Sequence, residues 1–153
     1  MRALHHPLNS EWIRHTISLG DQCGLTKEGI HFNRADPNTI TCASHYHCAD
    51  DEWYYILDAG EDGATLMTLT EGEDKVKEEK VYKGDFLGFP GGKRVAHTLK
   101  SGSQELVYLV GGTRQPIDIC VYPQDGKRLV TDKTSPDFWF VEEKDVKPMT
   151  LGK

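Results

Sequence analysis

Two histidines separated by one residue, with a glutamate at a fixed distance after them, do most to narrow what this chain can fold into. The stretch runs Ser44-His45-Tyr46-His47-Cys48-Ala49-Asp50-Asp51-Glu52-Trp53-Tyr54-Tyr55-Ile56-Leu57-Asp58-Ala59-Gly60. Side chains alternate between the faces of a strand, so His45 and His47 point the same way. Glu52 opens an apolar, aromatic run over 53–57, the pattern of a second strand, and a turn follows over 58–63. Two imidazoles and a carboxylate brought together by neighbouring strands are a donor set for one divalent transition metal: Fe, Mn, Ni, Zn or Cu.

The rest of the chain supports an all-β frame for this set. Strand-like runs fall at 12–19, 29–33, 39–47, 64–70, 81–82, 86–89, 95–99, 105–110 and 117–122, with turn residues between them. Along 12–19, Ile13, His15 and Ile17 alternate with Arg14, Thr16 and Ser18. Strands of this length and spacing predict a sandwich or barrel, and no helix-period stretch or internal repeat interrupts them. The charge-rich segment 71–80 is expected to be a solvated hairpin and exposed strand.

A second motif lies downstream. Gly84 is followed by five residues, then Pro90-Gly91-Gly92, then His97. Together with His-x-His-x4-Glu, this resembles the two motifs of the cupin superfamily. Leu19-Gly20-Asp21, Gly24-Leu25-Thr26 and the run from Asp118 to Pro123 also resemble small cupins, so the likeness spans roughly residues 17–140. The resemblance implies a double-stranded β-helix (jelly roll) and a metal held by His45, His47, Glu52 and His97. The chain departs from the family pattern in three places. Asn38 stands where a glycine is usual, and asparagine is the next residue most tolerant of positive φ. Ala59 lengthens the turn after Glu52. Four residues rather than two separate Gly92 from His97, and Ser101 replaces an asparagine.

Bulk properties set the limits. The chain has 153 residues, which suits one domain: an N-terminal arm over 1–11, a barrel over 12–123 and a packing tail over 124–153. The tail is expected to hold one short strand around Phe138-Trp139-Phe140. A net charge of −6 argues against nucleic-acid binding, and no apolar run approaches a membrane span. Four scattered cysteines and the absence of an apolar leader predict reduced thiols in a cytoplasmic protein. His5 and His6 are expected to be solvated, and His15 and His31 to be structural or surface residues. Cys48 follows His47 on the opposite face, which predicts a buried or turn thiol. Asp50 and Asp51 are turn residues, either of which could accept a hydrogen bond from a ligand histidine.

Tyr54 and Ile56 share the inward parity of Glu52 and are expected to line the pocket. Lys93 and Arg94, in the loop before His97, are candidate anchors for an anionic substrate group. Trp53 and Tyr55 have the outward parity. They suggest a further apolar layer, and with the family's habit of pairing barrels they predict a homodimer. The resemblance implies a metal-dependent enzyme on a small organic molecule, of dioxygenase, isomerase, decarboxylase or lyase type. A non-catalytic small-molecule binding or sensor protein is the alternative. A metal-independent sugar-nucleotide epimerase is disfavoured, because that chemistry does not require the His-x-His-x4-Glu set. The residues assign no general base.

Overall fold

A computed structural model describes residues 1–135 and 138–147. Its strands are β1 (Arg2–His6), β2 (Asn9–Ser18), β3 (Glu28–Ala35), β4 (Tyr46–His47), β5 (Glu52–Asp58), β6 (Ala64–Thr70), β7 (Lys77–Val81), β8 (Phe86–Phe89), β9 (Val95–Lys100), β10 (Leu106–Thr113), β11 (Ile117–Tyr122), β12 (Lys127–Asp132) and β13 (Phe138–Glu142). One short helix, α1 (Leu19–Gln22), and one 3-10 turn over Glu143–Asp145 complete the described elements.

The strands form two facing layers of a jelly roll. One is a six-stranded sheet in the order β1-β2-β3-β10-β5-β8. The other combines the sheets β13-β12-β11-β4 and β7-β6-β9. These two are joined by an isolated antiparallel bridge between His45 and His97, whose amides each bond the other's carbonyl at 3.3 and 2.9 Å. Two residues of the sequence motifs therefore close the second layer with their own backbones. Between the layers, Tyr54, Ile56, Leu106 and Tyr108 pack against Ala64, Leu66, Val81 and Leu99. Removing this apolar surface from water is the main force holding the layers together.

Four expectations change. Residues 2–6 are no loose arm: β1 pairs antiparallel with β2 from Arg2↔Thr16 to His5↔Ile13. That pairing, and the packing of Leu8 and Trp12 on Ala43, Cys120 and Tyr122, override a weak local strand signal. Residues 39–47 form a continuous ladder only at Tyr46–His47. Upstream, the chain touches its neighbour at Ile40↔Lys100 and bends at Cys42. The region after residue 123 holds two strands, β12 and β13, rather than one, the added one being β12, which pairs with β11 throughout its length. Residues 136, 137 and 148–153 of the expected tail lie outside the described residues. Finally, 19–22 forms a helical turn. The expected left-handed turn at Asn38 is present, with φ 58°.

Candidate metal centre

β4 and its approach carry His45 and His47, β5 begins with Glu52, and β9 carries His97. The second motif is shaped to lean on the first. Gly91 donates its N–H to Asp51 Oδ1 at 2.8 Å, and Gly92 donates to the carbonyl of His47 at 2.9 Å. A Cβ at Gly91 would lie 2.6 Å from the carbonyl oxygen of Ala49, so only glycine permits this approach. The longer loop before His97 is absorbed by left-handed turns at Gly92 (φ 78°) and Arg94 (φ 51°). His97 is thereby delivered opposite His45 despite the extra residues.

The four residues converge on one atom. Nε2 of His97, His45 and His47 lies 2.7, 3.6 and 3.8 Å from Glu52 Oε2. The other nitrogen of each ring is also committed to an oxygen. Nδ1 of His45 meets the Ala43 carbonyl at 2.7 Å, Nδ1 of His97 meets the Val95 carbonyl at 3.2 Å, and Nδ1 of His47 meets Asp118 Oδ2 at 2.6 Å. A carbonyl or carboxylate can only accept, so each Nδ1 carries a proton; His97 Nε2 also shares a proton with Glu52 at 2.7 Å, and once that proton leaves each Nε2 offers its lone pair inward. Three lone pairs and a carboxylate then face one another, an arrangement that a divalent cation satisfies.

Electrostatics agree with this geometry. Burial alone would raise the pKa of Glu52, but hydrogen bonds from His45 and His97 and the charge on those rings hold it well below the usual carboxylate range. Burial lowers the pKa of His97, with Glu52 opposing. Burial would also lower His45, yet Cys120, Cys42 and Glu52 raise it, making it the ring most ready to carry positive charge. Burial opposes ionisation of Asp118, but the His47 ring and the amides of Ala49 and Asp50 hold it down at about 2. Tyr54 donates its O–H to Glu52 Oε2 at 3.3 Å, and Phe89 stacks flat on the His97 ring at 3.6 Å between centroids. Among the described residues three overlapping groups could hold a cation: His45/Glu52/His97, His45/His47/Cys120 and His47/Asp50/Asp118.

Two cavities meet at the centre. An inner one of about 270 Å³ is lined by His45, His47, Glu52, Tyr54 and Tyr108, among others, and an outer one of about 930 Å³ shares His47 and Glu52 with it. His97 lines neither and backs the centre from within the barrel, 1% exposed. Of the residues expected to touch substrate, Tyr54 lines the inner cavity. Ile56 does not: it is fully buried in the core between the layers. Lys93 and Arg94 line neither cavity. Both are exposed, and Arg94 pairs with Glu71 at 2.7 Å on the outer surface, turned there by its left-handed backbone.

Several residues at the site were not anticipated. Asp118, rather than Asp50 or Asp51, accepts from His47. Asp50 instead accepts from Lys133 Nζ at 2.5 Å and the Gln115 amide at 2.6 Å. Cys120, not Cys48, neighbours the histidines, and burial pushes its thiol up to about 11. Cys48 is exposed, and all four cysteines are free. His6 is not solvated. It stands edge-on to Trp12 and Tyr122 on the inner cavity wall, and burial, with Arg14 and His45 nearby, pushes it down to about 4. Of the two histidines expected to be structural, His15 pairs with Asp36 at 3.8 Å at the surface, whereas His31 lines the outer cavity. The missed signal at Asp118 is a lone carboxylate in an otherwise apolar strand.

No protein-family model matches the sequence, and no curated protein matches it significantly. Solved structures do. A candidate sugar phosphate isomerase of Acidithiobacillus ferrooxidans is 30% identical, with a TM-score of 0.82 over 97% of this chain and 88% of that one. A sugar phosphate isomerase of the cupin superfamily from Silicibacter pomeroyi is 26% identical, with a TM-score of 0.72 over 90% and 80% of the two chains. Oxalate decarboxylase of Lactobacillus farciminis, 13% identical with a TM-score of 0.55 over 82% of this chain and 34% of that one, shares the fold.

Proposed function

This chain belongs to the cupin superfamily, and we propose that it is a divalent-metal-dependent enzyme acting on a small organic molecule, with isomerisation of a sugar phosphate as the reaction its relatives favour. One observation carries the metal dependence: all three Nε2 atoms face Glu52 Oε2 while all three Nδ1 atoms are anchored to oxygen acceptors. His45, His47, Glu52 and His97 would hold the ion. When bound, it would supply Lewis-acid polarisation of a substrate oxygen. The chain's own groups do the rest. The Ala43 and Val95 carbonyls and Asp118 hold a proton on each Nδ1 and so fix the ring orientations, and binding a metal requires the proton shared by His97 Nε2 and Glu52 to leave. Tyr54 and Tyr108 give the inner cavity an aromatic wall that limits water around the reacting atoms. A sugar phosphate isomerisation moves protons within one molecule and draws on no outside oxidant.

Elemental analysis of untagged protein, purified without chelator, is expected to show about one transition metal per chain. The protein is then reconstituted with Fe(II), Mn(II), Ni(II) or Zn(II) and assayed against pentose and hexose phosphates. Less than about a tenth of an equivalent after reconstitution would sink the metal assignment. Full loading with no interconversion of any sugar phosphate would reject the isomerase reading while leaving the metal centre standing.

A further inference from the structure

One wall of the site carries two groups whose bonding is incomplete. Arg14, on β2, lines both cavities alongside His47 and Glu52. Its guanidinium has five N–H donors, yet within the described residues it makes one hydrogen bond, from Nη1 to the Thr41 carbonyl at 3.2 Å, and no ion pair. A second arginine of the outer cavity, Arg114, is already tied to Asp21 at 2.6 Å. Arg14 is thus a permanent positive charge, partly withdrawn from water, with no carboxylate bonded to it. Such a charge, with donors left over, can take up an anion that enters the cavity. Burial opposes the Arg14 charge, while Tyr108, Cys42, Tyr54 and Glu52 act through space to hold its pKa up; Glu52 makes no hydrogen bond to it, its Oε2 being engaged by His97 and Tyr54.

Asn33 is the second group. It sits on β3 opposite Thr16 of β2 and Tyr108 of β10, is 1% exposed, and also lines both cavities. Its Oδ1 is a buried acceptor without a hydrogen-bond donor among the described residues. Buried acceptors without donors are rare, and one in a cavity wall is a candidate acceptor for a ligand hydroxyl.

Resting on the metal-dependent reading above, we propose that the substrate is a small polyhydroxylated anion. Its phosphate or carboxylate sits on Arg14, one of its hydroxyls donates to Asn33 Oδ1, and its reacting end reaches the His45–His47–Glu52 centre. The outer cavity, about 930 Å³, has room for such a molecule with its chain extended towards the opening. Arg14 sets charge selectivity and Asn33 sets the orientation of the carbon chain, so the two should be separable by experiment.

Calorimetric titrations with inorganic phosphate, acetate and ribose 5-phosphate would be run on protein with and without Mn(II). At least one of the two simple anions is expected to bind with one-to-one stoichiometry in both forms. Phosphate binding marks a phosphorylated substrate, and acetate binding marks a sugar acid. Arg14→Gln should weaken that anion at least tenfold while metal content stays at the wild-type level, and Arg14→Lys should fall between. Asn33→Leu should leave the simple anion unchanged and weaken ribose 5-phosphate severalfold, or the matching sugar acid if acetate is the anion bound. If Arg14→Gln does not fold, Arg14→Lys decides, because it keeps the charge but loses the forked donors and should weaken the anion severalfold. Wild-type protein that binds neither anion, or anion binding unaltered in Arg14→Gln, or in Arg14→Lys where the glutamine variant does not fold, overturns the proposal. A failure to take up metal, with Arg14-dependent anion binding intact, would refute the metal reading alone.

Discussion

Replacing Asp118 by asparagine isolates the proton that orients the centre. Asp118 is 4% exposed and accepts three hydrogen bonds: from His47 Nδ1–H at 2.6 Å, the Ala49 amide at 2.8 Å and the Asp50 amide at 3.3 Å. Asparagine keeps the shape, and its Oδ1 can keep the two amide bonds. Its NH₂ would then face His47 Nδ1, where it needs a lone pair. The ring responds by moving its proton to Nε2, which removes the lone pair directed at Glu52. Loss of such an outer partner typically costs 10- to 100-fold in metal affinity, which is about 1.4–2.7 kcal/mol. The metal-free fold should lose a comparable amount at most, because only the charged His47 bond is lost, at about 1.5–3 kcal/mol before partial recovery as the ring flips. For a domain of this size that is a fall in Tm of roughly 3–10 °C. Competition against a chromophoric chelator measures affinity for Mn(II) or Zn(II), and thermal unfolding of the metal-free protein reports the fold. A variant that keeps its Tm and binds metal within about threefold of wild type would refute the tautomer argument.

Four further outcomes are expected. His97→Ala, His45→Ala and Glu52→Ala should each lower metal affinity in chelator competition, with His15→Ala unchanged. Full loading of His97→Ala would instead mean a site of two histidines and a carboxylate. Gly91→Ala should destabilise by about 1–3 kcal/mol through its overlap with Ala49, read by denaturant unfolding, and should weaken metal binding as the His47 loop shifts. Metal occupancy, followed by equilibrium dialysis, should fall as pH drops below about 6, because protons compete for the imidazole lone pairs that binding requires; occupancy unchanged at pH 4.5 would contradict histidine ligation. Light scattering at micromolar concentration should give a dimer mass, since edge strand β13 exposes Phe138, Trp139 and Phe140; a monomer mass would reject it.

The fold was readable wherever a strand carried its own signal. The spans 64–70, 86–89 and 117–122 agree with β6, β8 and β11 because turn residues bound compact β-branched or apolar runs. β1, β12 and the full extent of β13 were not readable in this way. β1 is Arg2 to His6, a mixed segment whose order comes from pairing with β2, and β12 is a half-buried strand starting Lys-Arg, held between β11 and β13. The four convergent donors were readable because their spacing is local on each strand and each strand is rigid. Their supports lie far away in sequence: Asp118 is 71 residues from His47.

The wall opposite to expectation explains why Arg14 and Asn33 escaped notice. An amphipathic strand is ordinarily oriented by turning its apolar phase inward, which for β2 would select Ile13 and Ile17. Here Arg14, Thr16 and Ser18, the polar phase, line the outer cavity together with Ile17, and on β3 the phase of His31 and Asn33 does the same. Across the barrel, Asp118, Cys120 and Tyr122 of β11 line the inner cavity in the same alternating manner, with Asp118 the only charge in that strand. The inversion is local. Further along the same sheet, Ile56 and Leu106 are buried in an apolar core and follow the ordinary rule. A barrel that keeps one end open for a polar ligand must line that end with polar residues, so its strands break the binary pattern at the site and obey it beneath. A strand whose alternation is clear but whose polar phase carries a lone arginine, asparagine or aspartate is therefore a signal of a cavity wall. By that rule β2, β3 and β11 point to the same end of the molecule as the His-x-His motif does.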